Sequence, residues 1–66
     1  MQFKLNGELQ ETAEKLSVTA LLERFELNRR RVAVAINSEV VPRSRFADVQ
    51  IRSGDSVEVI QAVGGG

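Results

Sequence analysis

The sequence predicts an α+β domain in which a four- to five-stranded mixed sheet packs on a single helix. Three observations carry that expectation. The chain opens with apolar–polar alternation that runs into an Asn-Gly pair. A middle segment switches to helical spacing, and β-type runs follow it. With 66 residues there is room for one modest core, since a domain this small buries only about 60% of the surface its unfolded chain exposes.

The elements can be justified in order. Met1, Phe3 and Leu5 fall on one face and Gln2, Lys4 and Asn6 on the other, the period of a half-buried strand. Asn6-Gly7 then signals a type I′ hairpin, because both central positions want positive φ. Glu8-Leu9-Gln10-Glu11-Thr12 reads as the return strand. Val18, Leu21, Leu22 and Phe25 recur at helical spacing and share one helix face. Ser17 is placed to cap that helix, and Asn28 is read as its stop signal. Val32-Ala33-Val34-Ala35-Ile36 is apolar on both faces, which places it centrally in a sheet. Asn37-Ser38 turns the chain into Glu39-Val40-Val41, and Pro42 ends that strand because it has no N–H for a ladder. Arg43-Ser44-Arg45-Phe46 suits a short helical turn pinned by Phe46. After the turn cluster Ser53-Gly54-Asp55, Ser56 to Ala62 forms the last strand, with Val57 and Val59 on one face and Glu58, Ile60 and Ala62 on the other. Strands folded over one helix in this order are the outline of the ubiquitin-like β-grasp.

Composition excludes whole classes of chemistry. The chain has no His and no Cys, hence no Ser-His-Asp triad, no thiolate nucleophile and no ordinary zinc, haem or iron–sulfur ligand set. Nine Lys+Arg balance nine Asp+Glu, which argues against non-specific nucleic-acid binding. Three Phe are the only aromatics, too few for a base-stacking platform. No apolar run approaches the roughly 20 residues that span a bilayer, and the N-terminus lacks the layout of a signal peptide. The expectation is a soluble, cytoplasmic domain, with no bound cofactor or metal and no nucleic-acid or membrane partner, monomeric when free. Glu11 and Glu14, and Glu23 and Glu26, read as surface charge rather than paired catalytic carboxylates.

The end of the chain carries the most pointed signal. Residues 1–63 form the domain, and Gly64-Gly65-Gly66 follow as a tail. Glycine has no Cβ and loses the most freedom on ordering, so a flexible tail is expected. Four extended residues reach roughly 13–14 Å, and an arm without side chains fits a narrow channel in another protein. The terminal carboxylate is a poor acyl donor. Adenylation from ATP would activate it, and a sulfur nucleophile would then leave a thiocarboxylate. Read alone, the same tail is equally a frayed terminus or a cloning remnant.

Three stretches together bear a family resemblance: Val34-Ala35-Ile36-Asn37-Ser38-Glu39-Val40-Val41-Pro42-Arg43, then Gly54-Asp55-Ser56-Val57-Glu58-Val59, then Ala62-Val63-Gly64-Gly65-Gly66. Over essentially the whole chain this is similar to the sulfur carrier family of bacterial thiamine (thiazole) biosynthesis, the ThiS family. The resemblance implies a β-grasp protein that is not an enzyme but a substrate of its partners. An adenylyltransferase of the ubiquitin-activating type would use ATP to adenylate Gly66. A cysteine desulfurase or related sulfurtransferase would supply sulfur indirectly, and thiazole synthase would receive it. Gly65 would occupy the channel beside Gly66, and Gly64 would extend the arm. That third glycine replaces a larger residue of many relatives and raises the cost of ordering the arm by up to about 1 kcal/mol. The small subunit of molybdopterin synthase shares this outline, as do ubiquitin-like modifiers; a plain interaction module with an inert tail is the remaining alternative.

Two surface features complete the reading. Ile60, Ala62 and Val63, with Ala33 and Ala35 on the same outer sheet face, form a candidate docking patch beside the tail. The bland alternative is ordinary surface apolar residues. Arg29-Arg30-Arg31 reads chiefly as a solvated loop, with steering of an acidic partner or of phosphates as its functional alternative.

Overall fold

The computed structural model describes residues 1–28 and 31–61. Arg29, Arg30 and the expected final strand residue Ala62 lie outside the described residues, as do Val63, Gly64, Gly65 and Gly66. The elements run β1 (Gln2–Leu5), β2 (Glu8–Glu11), β3 (Leu16–Ser17), α1 (Val18–Arg24), β4 (Val32–Ile36), β5 (Glu39–Val41), the 3-10 turn η1 (Arg43–Arg45), β6 (Gln50–Ile51) and β7 (Ser56–Gln61).

Five strands form one sheet in the order β2-β1-β7-β4-β5. It is mixed, because β1 pairs with β7 in parallel while the other neighbours are antiparallel. Alternation then decides which side chains meet the helix. Phe3 and Leu5 from β1, Val57 and Val59 from β7, Val32 and Val34 from β4, and Val41 from β5 are all buried. Val18, Leu21 and Leu22 of α1 complete that core with Leu16 and Ile51. Phe25 and Phe46 pack against it while staying partly exposed.

Both hairpins have two-residue loops. Leu5 pairs with Glu8 and Ile36 with Glu39, and all four loop residues have positive φ: Asn6 at 50°, Gly7 at 84°, Asn37 at 52° and Ser38 at 69°. This is the I′ geometry, whose twist matches that of the flanking strands. Asn37 is locked further. Its Oδ1 accepts from the Ser56 N–H at 3.0 Å, and its Nδ2 donates to Asp55 Oδ1 at 3.0 Å.

Four details depart from the sequence expectation. The return strand stops at Glu11, and Thr12 is instead buried, its hydroxyl donating to the Glu14 carbonyl at 2.9 Å. β4 has a neighbour on each side, but β7 holds the middle of the sheet. The outer face of β4 is not covered: Ala33 is exposed and Ala35 half-buried. A second, two-stranded ladder joins β3 to β6, pairing Leu16 with Ile51 and Ser17 with Gln50.

The fourth departure is the helix end. Ser17 caps the start as expected, accepting from the Ala20 N–H at 3.0 Å. The helix stops at Arg24, well before Asn28. Glu26 turns left-handed at φ 57°, the Leu27 N–H reaches the Leu22 carbonyl at 2.7 Å, and the Glu26 N–H reaches the Glu23 carbonyl at 3.2 Å. That is a Schellman closure with glutamate where glycine is usual. Leu27 packs back on the core, which stabilises the closure despite the unfavourable backbone. Relief of about 1–2 kcal/mol of left-handed strain, set against about 0.5–1 kcal/mol of glycine entropy, predicts that Glu26→Gly raises the unfolding free energy. The rise should be about 0.5–1 kcal/mol, read as a higher urea midpoint with unchanged slope.

Candidate functional site

The site is the outer sheet face together with β7, the strand that precedes the last five residues of the sequence. β7 is paired on both flanks. On one side, Val32, Ala33, Val34, Ala35 and Ile36 oppose Gln61, Ile60, Val59, Glu58 and Val57 in antiparallel register. On the other side, Lys4 and Leu5 run parallel to Ser56 and Val57. The Lys4 N–H donates to the Asp55 carbonyl and the Asn6 N–H to the Val57 carbonyl, both at 2.8 Å. Beyond Asn6 the backbone turns away, and its side chain continues the ladder: the Val59 N–H donates to Asn6 Oδ1 at 2.9 Å. A turn residue therefore extends the hold on the strand that leads to the tail.

Side chains pointing away from the helix make the outer face. Ile60 is 64% exposed and sits directly opposite Ala33. Ala35 is flanked by Glu58 on β7 and Val40 on β5. Three described members of the expected docking patch, Ile60, Ala33 and Ala35, are thus brought onto one face of neighbouring strands. Val40, 76% exposed, extends the band to the sheet edge and was missed in the sequence. Alternation within β5 held the signal: Val41 pairs with buried Val34, so Val40 must point outward. Glu58 borders the band with a charge. Ala62 and Val63, the other expected patch members, and Gly64, Gly65 and Gly66 lie outside the described residues.

The carboxylates weighed in the sequence are exposed. Glu11 and Glu14 lie near the β2 edge, and Glu23 and Glu26 at the end of α1. Among the described residues no group of three or more Asp or Glu is arranged to hold a metal ion.

This is the architecture of a ubiquitin-like β-grasp protein: a mixed sheet with one face on a helix and an exposed apolar band on the other. The sequence pattern of the ThiS family matches residues 3–66. The chain belongs to the ThiS family, the sulfur carrier proteins of thiamine biosynthesis, which are substrates of partner enzymes and not enzymes themselves. It is 32% identical over 66 residues to the sulfur carrier protein ThiS of Escherichia coli strain K12, covering all of both chains. It is 38% identical over 66 residues to a thiazole synthase of Paramagnetospirillum magneticum, of which it spans 20%. The crystal structure of the thiamine biosynthesis protein ThiS from Geobacter metallireducens superposes with a TM-score of 0.86 at 35% identity, again covering all of both chains.

The side-chain extension of the β1–β7 ladder has a direct test. Asn6→Ala leaves the Val59 N–H without its acceptor, at a cost of about 1–3 kcal/mol. Hydrogen exchange at the Val59 amide should accelerate more than at amides of the β4–β7 ladder.

Proposed function

We propose that Gly66 is the sulfur-bearing residue and that the outer sheet face docks the enzymes that act on it. The carboxylate oxygen of Gly66 attacks the α-phosphorus of ATP in a partner adenylyltransferase of the ubiquitin-activating type, and pyrophosphate leaves. A sulfur nucleophile attacks the acyl carbon of the adenylate, and AMP leaves with the C–O bond. With a persulfide as nucleophile the first product is an acyl disulfide. A second thiol of the sulfur-delivering protein then attacks the sulfur on the protein side of that bond, forms a disulfide with it, and releases the thiocarboxylate on Gly66. Sulfur reaches this step from a cysteine desulfurase or related sulfurtransferase, and thiazole synthase takes it onward. Gly64, Gly65 and Gly66 enter the partner's active site, while Ile60, Ala33, Ala35, Val40, Ala62 and Val63 meet its surface. A reducing cytoplasmic setting suits a thiocarboxylate.

The observation that carries this reading is the placement of β7. The strand is held by β1 and Asn6 as far as Val59 and by β4 as far as Gln61, and five residues of the sequence follow Gln61. The last described residue, Gln61, is paired with Val32 and adjoins exposed Ile60, so the residues that follow it begin from a paired strand beside the apolar band. The thiazole synthase that matches this chain over a fifth of its own length supports the choice of thiazole synthase as acceptor.

Intact-protein mass spectrometry tests the chemistry. Incubation with ATP and the adenylyltransferase should add AMP, and a sulfur source should then exchange one oxygen of Gly66 for sulfur. An unchanged mass with an active enzyme would sink the assignment. The docking face is tested separately. Ile60→Glu should leave stability within about 0.5 kcal/mol, as for an exposed position. It should weaken adenylyltransferase binding tenfold or more, the effect of losing about 1.4 kcal/mol at an interface.

A further inference from the structure

A groove between α1 and the start of β4 carries charge that the carrier chemistry does not use. It encloses about 430 Å³. Buried Leu22 and Val32 and half-buried Phe46 supply its apolar lining, and Arg31, Arg43 and Glu23 line it as well. Arg31 and Arg43 are exposed, and the salt bridge found among the described residues involves neither of them. It joins Arg45 of η1 to Asp48 at 3.7 Å. Cations are concentrated in this part of a chain that is neutral overall. Five of the nine Lys+Arg fall between positions 29 and 45 (Arg29, Arg30, Arg31, Arg43 and Arg45), against the single acid Glu39. Two guanidinium groups against one carboxylate leave the groove positive.

The groove also has a telling position. Val32, which lines it, stands directly opposite Gln61 in the sheet. Gln61 is the last described residue of β7, and five residues of the sequence follow it. The described end of β7 therefore lies beside the start of β4, where Val32 and its neighbour Arg31 line the groove.

We propose that this groove is a second docking element, which receives an acidic segment of the protein that takes the C-terminal tail. The segment places one apolar side chain against Leu22, Val32 and Phe46 and carboxylates against Arg31 and Arg43. Guanidinium groups suit that role because their planar fork pairs a carboxylate through two hydrogen bonds. The division of labour is physical. Ile60 and its neighbours contribute apolar contact that slows dissociation, and the arginines contribute attraction that speeds encounter. The identity of the partner rests on the carrier reading; the chemistry of the groove does not.

Two measurements on the full-length chain test the proposal. In the first, the isotope-labelled protein is titrated with a blocked pentapeptide of one leucine between pairs of glutamates. Amide shifts are expected at Thr19, Leu22, Arg31 and Phe46, and they should vanish in Arg31→Glu/Arg43→Glu. Arg31→Gln/Arg43→Gln serves if the reversal perturbs the fold. No shift at these amides overturns the proposal, and so does the same pattern produced by inorganic phosphate alone, which would make the groove a simple anion site. In the second, association with the adenylyltransferase is followed at low salt and at about 0.5 M salt, where screening shortens the reach of charge. The double reversal should slow association about tenfold or more at low salt, with the gap closing to within about twofold at high salt. Equal rates at both salts overturn it. If the wild-type chain is never adenylated, the carrier reading fails while the peptide titration still decides the groove.

Discussion

The parallel pairing of β1 with β7 is the contact on which the rest of the fold depends. It joins the first strand of the chain to the last and puts both in the interior of the sheet. Without it the β1–β2 hairpin would be separated from the β4–β5 hairpin, and α1 would have no continuous surface to cover. The pairing is short, spanning Lys4 with Ser56 and Leu5 with Val57. Its reach is lengthened by the Asn6 side chain on Val59, and its far end is set by the Asp55–Asn37 hydrogen bond between the two loops. Polar loop residues thus help to fix the register of β1 and β7, whose buried side chains, Phe3, Leu5, Val57 and Val59, are all apolar. Register matters here because a slip of one residue would exchange Val57 and Val59 for Glu58 and Ile60 in the core.

The same alternation that builds the core also builds the outer face. Each strand that contributes a buried valine to the helix side contributes its neighbour to the other side. Ile60 is exposed because Val59 is buried, and Val40 because Val41 is. One side of this sheet is covered by a helix and the other is open. Among the described residues Ile60, Val40 and Ala33 are exposed on that open side.

Much of this was legible in the residues themselves. The i, i+3, i+4, i+7 stripe from Val18 to Phe25 and the cap at Ser17 announced the helix, and Asn6-Gly7 announced the first hairpin. These are local signals, each confined to a few neighbours. What could not be read came from distance or brevity. The β3–β6 ladder has two residues on each side, too few to show a period. Its partners are more than thirty positions apart, as Leu16 and Ile51 show. The helix end was misplaced because a left-handed Glu26 breaks the usual preference for glycine, and only the packing of Leu27 explains it. At the site, the glycine ending and the Ile60–Ala33 face were readable from alternation and composition. The meeting of Arg31 with Arg43 was not, because it arises from the way β4, β5 and η1 fold back toward the helix.

The central place of β7 also bears on how the molecule withstands load. On the function proposed above, a pull on the chain end along the line of β7 would load a strand bonded on both flanks. The bonds to β1 and β4 lie across that direction, so they resist together in shear instead of opening one at a time, as they would along a sheet edge. On that function, a small domain without cysteines would in this way be held by its last few residues and released with its fold intact.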